Sequence, residues 1–165
     1  MEFLNSKDFY YKIALLTLIV VFVEIVLGSY VKSIEAGLSC PDWPLCYGQV
    51  IPLKTSNPYG YTVKQIWSEY IHRVTASIVS ILLVFLAYLT YLHRDELSST
   101  KLNIGQQRFK IMIIIVLLLI LQIIFGGLTV ILDTNPEIVS THLAIATLIF
   151  GATIFLITKI NSQEG

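Results

Sequence analysis

Three side chains that can do chemistry, Glu69, His72 and Arg73, stand within five residues of one another beside a long apolar run. On a helix, residues three and four positions apart share a face, so an acid, a metal ligand and a cation would lie together. Lipid offers no hydrogen bonds, so such a cluster at a membrane boundary is costly unless its members are paired or bind something. A narrower alternative is that Glu69 only pairs with Arg73.

The long apolar runs around this cluster indicate membrane spans. The 165 residues are 55% hydrophobic and 13% charged, and the apolar residues form long uninterrupted runs. We therefore predict an all-α integral membrane protein, a bundle of four transmembrane helices forming a single domain over residues 1–165, with a long outer loop at 32–71. Each run is near the roughly 20 residues that a bilayer core requires. The predicted spans are 13–31, 72–92, 111–132 and 138–157.

Lysine and arginine are more numerous on one side of these spans, and the richer side is expected to be cytoplasmic. That side carries Lys7, Lys12, Arg94, Lys101, Arg108, Lys110 and Lys159, and the other carries Lys32, Lys54, Lys64 and Arg73. We predict a protein of the cell membrane with both termini in the cytoplasm. The cysteine loop and the helix ends that carry the heme ligands are predicted to lie on the outer side. The first run is too long for a signal-peptide core and no small-residue cleavage site follows it, so it should remain as a span. The net charge of zero gives no reason to expect a nucleic-acid partner.

An internal repeat relates the first two spans to the last two. Residues 24–28 (EIVLG) align with 122–126 (QIIFG), and His72 aligns with His142. The repeat predicts two helical hairpins in the same orientation, with the second and fourth helices at diagonal corners about 11 to 14 Å apart. A single histidine would more often be a packing residue, but two at equal depth could ligate a heme iron from both sides, with Arg73 near a propionate.

Two further intramembrane polar residues are candidates. Glu24 is the one acid of the first run, and Gln122 occupies the equivalent position of the third. A functional role for Glu24 and a hydrogen-bonded role in helix association both remain open. The Gly126-Gly127 pair would admit either a flat ligand or a neighbouring helix. His93, about 30 Å along the helix from His72, is interpreted as an ordinary interfacial histidine.

The outer loop contains both cysteines, Cys40 and Cys46. On an oxidising side of the membrane a disulfide is the expected state, either as a staple of the loop or with a redox or gating role. A metal site is less expected, because the loop offers two thiols and no histidine. Trp43 and Trp67 are expected at the outer headgroup level.

The chain resembles the heme A synthase family over essentially all of its length. Four motifs carry the resemblance: 37–46 (GLSCPDWPLC), 69–73 (EYIHR), 122–130 (QIIFGGLTV) and 141–143 (THL). The family oxidises the C8 methyl of heme O to the formyl group of heme A. The resemblance implies heme ligation by His72 and His142, an essential acid at Glu69 and a Cys40–Cys46 disulfide. It also implies heme b as cofactor, heme O and heme A as substrate and product, and heme O synthase and a terminal oxidase as partners.

The chain departs from the family in one respect. Typical members have eight helices and four histidines, whereas this chain supplies one half, so we expect either a homo-oligomer or one bundle that serves substrate and cofactor in turn. A bis-histidine b-type cytochrome would show the same ligands, but it would not need Glu69 and the cysteine loop. A membrane thiol oxidase would use Cys40 and Cys46 and leave the histidines unexplained, and a purely structural assembly factor would explain neither feature.

Overall fold

The computed structural model describes residues 6–53, 59–94 and 104–161. These residues form four helices, α1 (Lys7–Ser33), α2 (Val63–Leu92), α3 (Ile104–Ile131) and α4 (Pro136–Asn161), and no β-strand occurs within the described ranges. All four helices are long and apolar enough to cross a membrane. The predicted all-α membrane bundle is therefore confirmed. Two cations of the charge count, Lys54 and Lys101, lie outside the described residues.

The second helix begins earlier than the apolar run suggested. The side chain of Thr62 accepts a hydrogen bond from the backbone of Gln65, and the Gln65 side chain accepts one from the backbone of Thr62. This capping box fixes the start of α2 at Val63, so local capping rather than hydropathy decides the boundary. The cluster at residues 69–73 consequently lies inside the helix, not at its entrance, and the connection between α1 and α2 is shorter than the predicted loop at 32–71.

The helices form a ring in which each contacts its two neighbours. The backbones of α1 and α2, α2 and α3, α3 and α4, and α4 and α1 lie close together, whereas among the described residues the backbones of the diagonal pairs stay apart. Neighbours run antiparallel: Tyr10, near the start of α1, shares a 2.9 Å hydrogen bond with Thr90, near the end of α2. This arrangement places α2 and α4 at diagonal corners and in the same direction, as the repeat predicted.

The histidine at the end of α2 differs from its sequence-based interpretation. His93 is only 2% exposed, so it is a buried residue and not an interfacial one. Its ring stacks on Tyr10 with centroids 5.0 Å apart, and its Nδ1 lies 2.9 Å from the carbonyl oxygen of Leu89. Burial of His93 depends on a tyrosine that is 83 residues away in the sequence, which apolar periodicity does not reveal.

A tight turn joins α3 to α4. Asp133 and Thr134 both adopt positive φ, at 49° and 54°, and the Asn135 side chain accepts a hydrogen bond from the backbone of Glu137 at 2.9 Å. Pro136 is the first residue of α4, a position at which the missing N–H costs nothing. The turn therefore brings His142 back beside α3 within two turns of helix.

Candidate active site

In the first hairpin, formed by α1 and α2, the imidazole of His72 lies against α1. Its Nδ1 is 2.8 Å from Oε1 of Glu24, and a Cβ built on Gly28 would stand 3.1 Å from its Cε1. The ring is turned so that Nδ1 makes no well-directed hydrogen bond with the carboxylate. Glu24 and Gly28 are one turn apart on α1, so the acid and the glycine together form the surface on which the ring rests.

The second hairpin, formed by α3 and α4, repeats this arrangement with different chemistry. The Nε2 atoms of Gln122 and His142 are 3.3 Å apart, and a Cβ built on Gly126 would stand 3.2 Å from Cε1 of His142. The two glycines thus have the same function in the two hairpins. A carboxylate contacts the imidazole in the first hairpin, and a carboxamide contacts it in the second.

Several buried polar atoms around the two histidines lack a hydrogen-bond partner within the described part of the chain. They are Oε2 of Glu24, Nδ1 of His72, Oε1 of Gln122 and Nδ1 of His142. A buried polar atom without a partner costs about 1 to 3 kcal/mol. Four such atoms around two imidazoles are typical of a site that binds something polar or metallic.

Glu69, three residues before His72, and Arg73, the residue after it, form a closely packed ion pair. Nε of Arg73 donates to Oε1 of Glu69 at 2.7 Å, and the side chains are only 13% and 7% exposed. The guanidinium also donates to three backbone carbonyls of the outer loop, those of Cys40, Asp42 and Leu45. Arg73 therefore holds the acid and the loop at the same time.

The outer loop has its own internal order. Cys40 and Cys46 are joined by a disulfide, as predicted, with Cα atoms 4.7 Å apart. The carboxylate of Asp42 accepts hydrogen bonds from the backbone N–H groups of Tyr47, at 2.6 Å, and Gly48, at 2.8 Å. With its carbonyls bound by Arg73, the loop is fixed over the end of α2 near His72.

The loop also reaches the second hairpin. The indole of Trp43 lies over Gly127 of α3, where a Cβ would be 3.5 Å from the ring. A Cβ on Gly37 would meet the Thr134 methyl at 3.1 Å. The disulfide loop of the first hairpin thus covers one end of the second hairpin, and Gly127 serves as a flat contact for Trp43.

Clefts among the described residues lie at both ends of the bundle. One, of about 160 Å³, lies between the loop and α2 and is lined by Pro44, Leu45, Cys46, Val50, Tyr70, Arg73, Val74 and Ser77. The other, of about 320 Å³, lies at the opposite end of the bundle and is lined by Arg94, Gln106, Phe109 and Lys110. Neither cleft is lined by His72 or His142. The first cleft has Arg73 in its wall and opens beside the ion pair.

The structure brings the predicted site residues together in three groups. Each histidine joins its intramembrane polar residue, and Glu69 joins Arg73 and the disulfide loop. The sequence did not reveal that Arg73 binds loop carbonyls, or that Trp43 covers Gly127. The alignment of Gly28 with Gly126 was the signal from which the glycine contacts could have been deduced.

These features define a multi-pass membrane protein of four helices, in which two equivalent hairpins each set a histidine against a glycine. The chain belongs to the family whose model is described as COX15-CtaA, cytochrome oxidase assembly protein, which matches residues 11–164.

Several curated proteins named heme A synthase are similar to it. The one from Halalkalibacterium halodurans is 28% identical over 151 residues, covering 91% of this chain and 45% of that protein. Those from Listeria welshimeri and Shewanella oneidensis are also 28% identical, over 87% and 78% of this chain and 43% and 38% of those proteins. The chain therefore spans less than half the length of these relatives. No solved structure shows a significant match.

Proposed function

We propose that the protein is a heme A synthase, which oxidises the C8 methyl group of heme O to the formyl group of heme A. The observation that carries this function is the matched position of His72 and His142 on diagonal helices, each against a glycine of the neighbouring helix. Membership of the family and the name of the similar proteins support the same activity.

The residues fit a heme held by two axial imidazoles. Imidazole nitrogen is a common axial ligand of heme iron, and both rings stand at the same end of the bundle. The Nδ1 atom of each histidine lacks a hydrogen-bond partner within the described ranges, so coordination of the imidazoles would offset the cost of burying polar rings in an apolar bundle. Bound heme b would supply iron redox chemistry. Heme O would be the substrate and heme A the product.

Glu69 is the residue that we assign to the chemistry. Conversion of a methyl to a formyl group removes four electrons and four protons, adds one oxygen atom, and requires an oxidant from outside this chain to accept the electrons. Successive hydroxylations would pass through an electron-poor carbon and end in a geminal diol, which loses water to form the aldehyde. A carboxylate one turn from His72 can stabilise that carbon electrostatically and can orient or deprotonate the incoming water. Arg73 holds the carboxylate of Glu69 in place by pairing with it at 2.7 Å. A heme propionate would have to share Arg73 with the loop carbonyls that the guanidinium already binds.

An electron-transfer cytochrome explains less of the site. Two histidine ligands would suffice for electron transfer, and a buried carboxylate beside one ligand would add a desolvation cost without a task. Neither that function nor thiol oxidation uses the link that Arg73 makes between Glu69 and the disulfide loop. The link is expected if the loop positions the acid.

The proposed function also includes an orientation in the membrane and partner proteins. We place the termini in the cytoplasm and the disulfide loop on the outer face of the cell membrane, because of the lysine and arginine count. Heme O synthase is the proposed supplier of the substrate, and a terminal oxidase is the proposed recipient of heme A. A homo-oligomer would supply a second pair of histidines.

The experiment is pigment analysis of the purified protein after expression together with a source of heme O. The wild type should contain heme A or its hydroxylated intermediate, identified by chromatography and mass. Glu69→Gln should retain heme and contain neither product, because the amide keeps the volume and loses the charge.

The matched control is Glu137→Gln, which changes an exposed acid at the start of α4. That variant should make product as the wild type does. Product formation by Glu69→Gln at the wild-type level would refute the role of Glu69. Unmodified heme alone in the wild type would favour the cytochrome, and absence of heme would refute the heme site altogether.

A further inference from the structure

The strongest asymmetry between the two hairpins lies in the residue that contacts each histidine. At equivalent positions of the repeat, α1 has the acid Glu24 and α3 has the amide Gln122. The acid approaches Nδ1 of His72 at 2.8 Å, and the amide approaches Nε2 of His142 at 3.3 Å. The glycine contacts are the same, so the side chains of the earlier helices that contact the two imidazoles differ in one functional group.

A carboxylate next to a ligating imidazole changes the reduction potential of the metal that the imidazole binds. When it accepts the hydrogen of the nitrogen that does not ligate, it fixes the tautomer and raises the basicity of the other nitrogen. A more basic ligand stabilises the ferric state over the ferrous state, which lowers the reduction potential of the heme. A neutral amide at the same place has a weaker effect, because it brings no net charge.

The position of Glu24 suits this role better than helix association. A glutamate that joins helices is expected to place both carboxylate oxygens on polar groups of its neighbours. Here one oxygen lies beside His72, and the other has no hydrogen-bond partner within the described residues. A small rotation of the imidazole would turn the 2.8 Å approach into a directed hydrogen bond. Nε2 would then be the nitrogen left to bind an iron.

We propose that Glu24 is a positioning residue that orients His72 and makes it the more basic of the two axial ligands. This role of Glu24 presupposes the heme site of the proposed function, but it does not depend on the oxidation of heme O. Glu24 and Gln122 would together set the reduction potential of the bound heme. Glu24, in the first hairpin, would lower that potential.

The test is a reciprocal exchange of the two groups in the purified full-length chain reconstituted with hemin. Glu24→Gln should keep a six-coordinate spectrum, shift the reduction potential upward and weaken ferric heme binding by about 10- to 100-fold. Gln122→Glu should shift the potential downward, because a carboxylate then stands beside His142. The double exchange should return the potential close to that of the wild type. The matched control is Ser29→Ala, which removes an exposed hydroxyl that bonds to its own helix at Ile25.

The outcomes separate this role from the proposed function. An unchanged potential in both single variants, with heme bound, would refute the role of Glu24 while leaving the heme site intact. If Glu24→Gln does not fold, the downward shift in Gln122→Glu still supports the role, and its absence refutes it. If wild-type protein binds no hemin, the proposed function and the role of Glu24 fail together.

Discussion

The two hairpins have one backbone plan and two sets of polar residues. In both, a histidine of the later helix rests on a glycine of the earlier one, with Cβ-to-Cε1 distances of 3.1 and 3.2 Å. Around His72 stand Glu69 and Arg73, but the equivalent residues around His142 are Val139 and Leu143. The geometry for holding a ligand is duplicated, and the acid chemistry is not. In the proposed function, both hairpins would hold the heme and the first would supply the acid.

The connections within the two hairpins also differ, because the first is long and bears polar contacts and the second is a short turn. The first is closed by the disulfide loop, which Arg73 fixes to α2, and the second by the turn at 132–135. The loop of the first hairpin lies over the second through Trp43 on Gly127. A disturbance at Arg73 should therefore reach both hairpins, whereas a change at His142 should stay local.

Substitution of either histidine should have the strongest effect on heme binding, and it tests whether the two histidines are equivalent. His72→Ala and His142→Ala should each abolish the six-coordinate heme spectrum, because each removes one of two axial ligands. Hemin affinity should fall by more than the 10- to 100-fold that loss of a residue behind the ligand costs. Absorption spectra and hemin titration of the purified variants measure both quantities.

His93→Ala is the matched control for these variants. It removes the third histidine of the chain, which is buried at the opposite end of the bundle against Tyr10. The heme spectrum should be unchanged in that variant, although the protein loses stability. A six-coordinate spectrum in His142→Ala would break the comparison, since the second hairpin would then supply no ligand.

The next effect concerns stability and belongs to the first hairpin alone. Arg73→Gln leaves Glu69 buried without its cation and removes the donors to three loop carbonyls. Removing one partner of a buried ion pair costs about 3 to 5 kcal/mol. The free energy of unfolding in detergent micelles should fall by that amount, and Glu69→Gln added to Arg73→Gln should recover part of it.

The chain offers an exposed ion pair at the same spacing as the control. Lys12 and Asp8 are also four residues apart and lie within 2.6 Å, but their side chains are 68% and 70% exposed. Lys12→Gln should cost no more than about 1 kcal/mol, because water screens the pair. Equal losses in Arg73→Gln and Lys12→Gln would contradict the role of Arg73 in fixing the loop.

The sequence was sufficient to predict the fold and the equivalent positions of the two histidines, because both depend on regular patterns. Long apolar runs predict spans, and the repeat of Glu24–Gly28 in Gln122–Gly126 predicts equivalent helices. The contacts that the sequence did not predict join segments far apart in the chain. The hydrogen bonds of Arg73 go to backbone carbonyls, which every residue has, so no residue type marks them. The stacking of Trp43 on Gly127 depends on the path of the loop.

The smallest expected effect is the most direct comparison of the hairpins. In Gly28→Ala and Gly126→Ala a methyl group enters at 3.1 and 3.2 Å from Cε1 of the histidine, closer than ordinary van der Waals contact. Overpacking costs about 1 to 3 kcal/mol, and the helix propensity of alanine returns about 1 kcal/mol. We expect each variant to weaken hemin binding by about fivefold, which corresponds to about 1 kcal/mol.

Gly151→Ala in α4 separates the two contributions, since nothing lies within 4 Å of its Cβ position. That variant should gain about 0.5 to 1 kcal/mol of stability and leave hemin binding unchanged. Equal losses at Gly28 and Gly126 would mean that both rings are held equally firmly. A larger loss at Gly28 would mean that Glu24 prevents the ring of His72 from moving away, whereas His142, with only an amide beside it, can yield. The size of that difference therefore measures how much rigidity the acid adds to the first hairpin.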